Sequence, residues 1–289
     1  MSGGLILLRV GSIGYINSLP VDLGIATDRI MLNADIVQGV PSDLNEKMLC
    51  GALDISPISS FFYAQHQDKF LLLSDVSISS ESGVRSVLLF SRCAPRELAG
   101  RTIAVSGEGR TTPVLLEILC RKFYGFAPIT QTMTGKLASA PAGYFDAILL
   151  IGDEALTERK QLVEQGYQVT DLAEEWRRLT GLGFVFAVWA VRRGFFMENE
   201  TEVREACRAI LESKAWGLSH RIEVIAEAKR RIRLTEDELE DYFSSLSYDL
   251  SEPLLKGMSL YFQYAREYGF LPETRPVECV KPGKPLDDE

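Results

Sequence analysis

Gly51-Ala52-Leu53-Asp54-Ile55 and, 92 residues further on, Gly143-Tyr144-Phe145-Asp146-Ala147 are one short unit met twice. In each, a glycine suits the left-handed residue that closes a helix, and an aspartate opens an apolar strand. A second pair of features keeps nearly the same offset. The loop Gly14-Tyr15-Ile16-Asn17-Ser18-Leu19-Pro20 follows a strand from Leu8 to Ile13. Ser106-Gly107-Glu108-Gly109-Arg110-Thr111-Thr112-Pro113 follows Ile103 to Val105, with Asn17 and Thr111 94 residues apart. The repeat predicts two similar α/β lobes, each presenting a strand-to-helix loop, the place where open α/β sheets bind ligands.

Outward from these units, strands and helices alternate. A strand near Asp35 to Gln38 leads to a helix starting at Pro41 and Ser42 and running to Cys50. The strand after Asp54 leads to the segment Ser59 to Gln67, and Phe70 to Ser74 is a further apolar strand. Such alternation predicts mixed, mostly parallel sheets flanked by helices. Val84 to Ser91 and Phe184 to Val191 are continuous apolar strands, and from Glu198 onward periodic, charge-laced segments predict amphipathic helices that close back on the first lobe. Two chain crossings are expected, near 91 and near 190. They give a discontinuous first lobe of 1–91 plus 191–289 and a second lobe of 92–190, with a ligand cleft between them. Pro272 to Glu289, with four prolines and little apolar material, is expected to be a surface tail.

Composition narrows the function classes. A chain of 289 residues exceeds the usual single core, and 46% hydrophobic with 25% charged residues is ordinary for a globular protein. The net charge is −9, and its lysines and arginines are scattered rather than gathered into a stripe, which argues against a nucleic-acid surface. The apolar runs are too short to span a bilayer, and the N-terminus lacks the basic region of a secretory signal, so no membrane partner is expected. Five cysteines, odd in number and widely spaced, suit reduced thiols in a cytoplasm and suggest neither a zinc site nor a disulfide framework.

The loops at matched offsets carry the candidate chemistry. Ser106, Arg110, Thr111 and Thr112 gather hydroxyls and a cation before Pro113. Thr112 is a good N-cap and Pro113 suits a first helical turn, so free backbone N–H groups should face the loop as a carboxylate or phosphate cradle. A capped helix with a flexible lead-in is the alternative. Asn17 and Ser18 occupy the equivalent loop of the first lobe, where ordinary turn chemistry is the competing explanation. Ser56 lies in the strand that Asp54 opens. Ser86 enters a strand at a possible hinge, where a solvated strand-edge serine is the plainer account. Gly152 and Asp153 stand just past a buried strand of the second lobe, and Asp153 either caps the next helix or faces the ligand. Thr180-Gly181-Leu182-Gly183 is either a ligand approach or a hinge turn.

Absences count too. His66 and His220 are the only histidines, and neither lies in a loop that the repeat directs to the cleft. There is no Gly-x-Gly-x-x-Gly after a strand, no Walker loop, no Gly-x-Ser-x-Gly elbow and no metal-ligand spacing, so neither a cofactor nor a metal is expected.

Tyr15-Ile-Asn17-Ser-Leu-Pro20, Ser82-Gly-Val-Arg-Ser-Val-Leu-Leu-Phe-Ser91, Arg110-Thr-Thr112, Leu149-Leu-Ile-Gly-Asp-Glu-Ala-Leu156 and Thr180-Gly-Leu-Gly-Phe-Val-Phe-Ala-Val-Trp189, continued by Ser247-Tyr-Asp-Leu250, together resemble the chorismate dehydratases of the futalosine route to menaquinone. The resemblance runs in order over nearly the whole chain. It implies a fold like the type II periplasmic binding proteins, used inside the cell as a cofactor-free lyase. The implied reaction removes water from chorismate to give 3-[(1-carboxyvinyl)oxy]benzoate. Asn17 would be catalytic, with Ser18, Ser56, Ser86, Ser106, Arg110, Thr111, Thr112, Gly152 and Asp153 binding the substrate. The proton lost at C3 is conjugated to the ring carboxylate, so hydrogen-bond donors there would stabilise the developing charge. With no histidine in the cleft, the hypothesis is that the substrate's own enolpyruvyl carboxylate accepts the proton. The sibling 1,4-dihydroxy-6-naphthoate synthase has a His-Glu where this chain has Gly152-Asp153, which counts against that activity. The chain departs from the dehydratase pattern at Gly183, where Thr-Gly-Leu-Pro is usual, and at Phe61-Phe62-Tyr63, where a Glu commonly precedes the tyrosine. A cytoplasmic protein that binds a small carboxylate without catalysis is the competing class.

Overall fold

The computed structural model describes residues 7–107, 109–133, 135 and 144–282. The first sheet opens with β1 (Leu8–Ile13), β2 (Ala34–Gly39) and β3 (Ile55–Ser59), with α1 (Leu19–Ala26) and α2 (Pro41–Cys50) between them. α2 starts at Pro41 and ends on Gly51, whose φ of 80° is the left-handed conformation that a helix-closing glycine accepts without strain. After α3 (Ser60–Gln65) comes β4 (Phe70–Ser80). The second sheet repeats the plan with β6 (Thr102–Ser106), β7 (Ile129–Met133) and β8 (Ala147–Ile151), preceded by β5 (Val87–Ser91) and followed by α5 (Gly152–Glu164), β9 (Gln168–Asp171) and α6 (Leu172–Thr180). α4 (Thr111–Ile118) runs on into a π-helical stretch, Leu119–Tyr124, closed by Gly125 at φ 81°. β10 (Phe184–Arg192), the short α7 (Arg193–Glu198), four helices and β11 (Cys279–Val280) complete the described chain.

Strand order makes the duplication explicit. The first sheet reads β11-β4-β10-β3-β1-β2 and the second β7-β6-β8-β5-β9. In both, the opening strand is parallel to its two neighbours, and a strand delivered from the other half lies antiparallel beside the third. β10 fills that position in the first sheet and β5 in the second. The expected boundaries at 91 and 190 are therefore corrected. Val87–Ser91 belongs to the second sheet and Phe184–Arg192 to the first, which moves the crossings to 81–86 and 181–183. Both strands are almost wholly buried apolar runs. An apolar run of this kind is stabilised equally in either sheet, so composition does not reveal its partners.

The repeated aspartate has one task in both halves. Asp54 N–H donates to Arg9 O at 2.9 Å while Arg9 N–H donates to Asp54 Oδ2 at 3.0 Å. Asp146 N–H donates to Thr102 O at 3.2 Å while Thr102 N–H donates to Asp146 Oδ2 at 3.0 Å. Each aspartate thus ties the start of the third strand of its half to the start of the opening strand. Gly143, the other half of the repeated unit, lies outside the described residues.

The charge-laced C-terminal region forms α8 (Glu200–Ser219), α9 (Arg221–Arg231), α10 (Glu236–Ser245) and α11 (Glu252–Glu267). α8 and α9 pack on α1 of the first half, as expected, whereas α11 lies against both β10 and α4 and so spans the two halves. The expected surface tail is also corrected. Cys279–Val280 pairs in parallel with β4, Val280 is 3% exposed, and Arg275 exchanges two hydrogen bonds with the Gln67 side chain. Val280 buries an apolar side chain against β4, and this outweighs the disorder-prone prolines around it.

Candidate active site between the two sheets

A cavity of about 110 Å³ lies where the strands of both sheets end. Ile13 at the end of β1, Ser59 at the end of β3 and Ile151 at the end of β8 contribute to its wall, together with Val84 and Ser86 from the first crossing and Val87 at the start of β5. Ile78, Phe186 and Ala187 close it with apolar surface, and the first turn of α4 borders it from the second half. Its polar lining is Tyr15, Asn17, Ser59, Ser86, Thr111 and Thr112, with no acid, histidine, lysine, arginine or cysteine among the described lining residues.

Asn17 sits in the 3-10 turn Ile16–Ser18, which carries the chain from β1 into α1. Its Oδ1 is buried and has no hydrogen-bond partner among the described residues. A buried amide oxygen left unpaired is costly unless a ligand or water meets it. Ser18, next in sequence, turns away: its hydroxyl donates to Ile13 O at 3.1 Å and Tyr15 O at 3.2 Å and holds the turn. Ser56 is fully buried in β3 and does not line the cavity. A Cβ added at Gly11 would stand 2.2 Å from its Oγ, so its hydroxyl occupies space that the glycine of β1 leaves open.

On the opposite side α4 begins at Thr111, one residue before the expected cap, and Arg110 in the capping position makes no side-chain bond to the helix. Thr111 Oγ1 accepts instead from Phe61 N–H of α3 at 3.2 Å, and Tyr261 of α11 donates to Thr111 O at 3.0 Å. Helix first turns leave N–H groups without intrahelical partners, so this border of the cavity favours anionic groups. Pro113 fits there because its missing N–H is one of those orphans. Arg110 is exposed and lies over the Phe61 ring, 5.2 Å from its centroid, outside the cavity lining. Ser106 ends β6, half-buried and also outside that lining; Gly109, at φ 91°, lines it, and Glu108 lies outside the described residues.

Ser86 and Gly152 meet at the floor, where Gly152 N–H donates to Ser86 O at 2.8 Å. Gly152 adopts φ 59° as β8 turns into α5, which makes the site strained for a residue with a side chain. Asp153, expected to cap α5 or face the ligand, does neither. α5 starts at Gly152, and Asp153 Oδ1 accepts from Ile16 N–H of the first half at 3.4 Å. Burial raises the Asp153 carboxyl to about 6, against the lowering effect of that hydrogen bond and of Arg231. Asp153–Ile16 and Thr111–Phe61 are thus two clasps between the halves on either side of the cavity.

Two groups lie outside the sequence expectations: Tyr242 in α10, whose hydroxyl donates to Ser86 Oγ at 3.2 Å, and Ser59, whose hydroxyl also caps α3 by accepting from Phe62 N–H at 3.3 Å. The signal for Ser59 was there, a serine leading into a helical run. Tyr242 reads as one more core position beside Leu239 and Phe243. The histidines are elsewhere: His66 packs on Phe62 and Phe70, and His220 stacks on Trp216.

The sequence profile of the menaquinone biosynthesis family matches residues 8–267. The chain belongs to that family. A chorismate dehydratase of Thermus thermophilus is 32% identical over 239 residues, covering 78% of this chain and 84% of the relative. Among solved structures, a protein of Archaeoglobus fulgidus superimposes with a TM-score of 0.74 at 20% identity, covering 91% of this chain and 98% of that one. The periplasmic aliphatic sulphonate binding protein of Escherichia coli gives 0.65 at 16% identity, covering 98% and 96%. A Candida albicans gene product described as having the generic periplasmic binding protein fold gives 0.70 at 13% identity, covering 99% and 100%. This member of the menaquinone biosynthesis family therefore has the periplasmic-binding-protein fold, with its cavity between the two lobes. Among its described residues no helix is long and apolar enough to cross a membrane, and no group of His, Cys, Asp or Glu is placed to hold a metal ion.

Proposed function

We propose that this protein is a chorismate dehydratase, a cofactor-independent hydro-lyase that converts chorismate to 3-[(1-carboxyvinyl)oxy]benzoate in the cytoplasm on the futalosine route. The observation that carries the activity is the 32% identity with a chorismate dehydratase over most of both chains. The cavity supports it physically. Hydroxyls and helix-start N–H groups from two lobes suit a substrate with two carboxylates at its ends. Removal of the C3 proton delocalises charge onto the ring carboxylate, and departure of the C4 hydroxyl completes an aromatic ring. No titratable base except the phenol of Tyr15 lines the cavity among the described residues, which agrees with the substrate's enolpyruvyl carboxylate taking the proton. Asn17 orients the substrate and assists the leaving hydroxyl. Ser86, Thr111 and Thr112 donate to carboxylate oxygens.

A cavity of about 110 Å³ is small beside ordinary ligand sites, so substrate enters when the clasps at Asp153 and Thr111 part and the lobes then close over it. Closure excludes water and holds the reacting geometry.

Incubation of the purified protein with chorismate, followed by ultraviolet absorbance and mass spectrometry of the product, tests the reading. Loss of one water with gain of an aromatic chromophore is expected. Binding without product would mark a carboxylate-binding protein and refute the dehydratase. An Asn17→Ala variant that binds chorismate and turns it over at the wild-type rate would remove Asn17 from the mechanism.

A further inference from the structure

On the outer side of the first crossing, a groove of about 930 Å³ runs between α5 of the second lobe and the α9–α10 turn of the first. We propose that this groove is a second ligand site, one for a small dianion with an apolar body, such as an aryl phosphate. It is separate from the cavity proposed for chorismate and does not rest on that reading.

Charge is the first argument. The protein carries a net charge of −9, yet the groove is lined by Arg159 and Lys160 on one side and Lys229 and Arg233 on the other. Arg159 and Arg233 have no ion-pair partner among the described residues. Of the two acids in the lining, Glu238 is held in the α10 capping box, accepting from Thr235 N–H and Oγ1. Two guanidinium groups without ion-pair partners, one from α5 and one from the α9–α10 turn, lining the same groove offer a doubly charged anion two planar forks of donors.

Shape is the second argument. Leu156, Val163, Ile232 and Leu234 give the lining an apolar share beside the cations, and the volume falls within the range of small-molecule sites. A flat basic surface would attract any polyanion; a groove with apolar lining selects one that has a hydrophobic body to bury. Tyr242 also lines the groove, and its hydroxyl donates to Ser86 Oγ at the floor of the cavity, so one side chain separates the two sites. An occupant touching α5 and α9–α10 together favours the closed arrangement of the lobes.

Calorimetric titration of the full chain with 1-naphthyl phosphate at low salt tests the proposal. Saturable binding is expected, tighter than that of inorganic phosphate and weakened as salt is added. The double variant Arg159→Glu/Arg233→Glu should bind at least tenfold more weakly with an unchanged melting temperature, because both side chains are exposed. Arg159→Gln/Arg233→Gln serves if charge reversal impairs folding. Arg29→Glu/Arg266→Glu, reversing two cations elsewhere, should leave affinity unchanged. The proposal is overturned by absence of saturable binding, by equal loss in the control variant, by inorganic phosphate binding as tightly, or by loss in Arg110→Glu without loss in the groove variant.

Discussion

Asp153 Oδ1 accepts the backbone N–H of Ile16 at 3.4 Å, joining the first turn of α5 in one lobe to the loop before α1 in the other. The carboxyl that makes this bond is raised by burial to about 6. Its folded value lies above the unfolded one, so the folded state holds the proton more tightly. Stability from this group is therefore full below the unfolded value near 4 and declines as pH rises to about 6, where it levels off. Asp153→Asn keeps an acceptor for Ile16 and removes the titration. Thermal melting from pH 4 to 7 should show the variant gaining on the wild type as pH rises, by up to about 3 kcal/mol at neutrality. Parallel curves would show that the Asp153 carboxyl does not titrate in this range.

The repeat predicts two related but unequal losses. The Asp54 side chain is 2% exposed and pairs with Arg9 at 2.6 Å and Arg192 at 2.7 Å, whereas Asp146 is 40% exposed and pairs with Arg101 at 3.3 Å. Burial works to raise the Asp54 carboxyl, but the hydrogen bonds from Arg9 and Arg192 prevail and hold it below the usual range. Its contribution is present at neutral pH and is lost as acid is added through that lowered value. Asp54→Ala strands two guanidinium groups and the Arg9 N–H and should cost about 3 kcal/mol or more in urea unfolding. Asp146→Ala breaks an exposed pair and one backbone bond, and about 1 kcal/mol is expected. Equal losses would mean that the two aspartates serve alike despite their different burial.

These two aspartates also mark how far the sequence could be read. The repeat exposed both of them, and with them the two-lobed plan and the loops that end at Asn17 and Thr111, because helix-closing glycines and strand-opening acids are local chemistry. What escaped is non-local. Val87–Ser91 and Phe184–Arg192 exchange sheets, and only their hydrogen-bond partners reveal it. Ser18 and Ser56 carry the right hydroxyls in the right segments, yet the first bonds its own turn and the second fills the space beside Gly11. Asp153 looks like a helix cap because its cross-lobe partner is a backbone N–H 137 residues away, which no spacing rule encodes.

Gly183 is explained by its neighbours. A Cβ there would lie 2.8 Å from Ser80 O and from Leu254 Cδ2, and a Cβ on Gly257 of α11 would lie 2.1 Å from Gly183 O. Trp176 Nε1 donates to that same carbonyl at 3.2 Å. α11 thus rests backbone to backbone on the second crossing. Gly257→Ala should lower stability by about 2 kcal/mol or more, since the obstructing atom belongs to the main chain and cannot rotate away. A melting temperature equal to that of the wild type would show that α11 shifts freely on the crossing.

Tyr242 reaches the cavity only through Ser86, donating to its Oγ at 3.2 Å. Tyr242→Phe keeps the buried ring and removes the donor, leaving the Ser86 hydroxyl only its long bond to Val84 O at 3.4 Å. On the proposed reaction, kcat/KM for chorismate should fall about fivefold to tenfold, the worth of one neutral hydrogen bond. Ser86→Ala should cost more, because it removes the group that meets the substrate. The double variant separates orientation from a general loss of packing. If Tyr242 acts by orienting Ser86, Tyr242→Phe adds nothing once Ser86 is alanine, and the double variant equals Ser86→Ala. Steady-state kinetics of the four proteins decide this: fully additive losses would place the effect of Tyr242 outside the Ser86 hydroxyl.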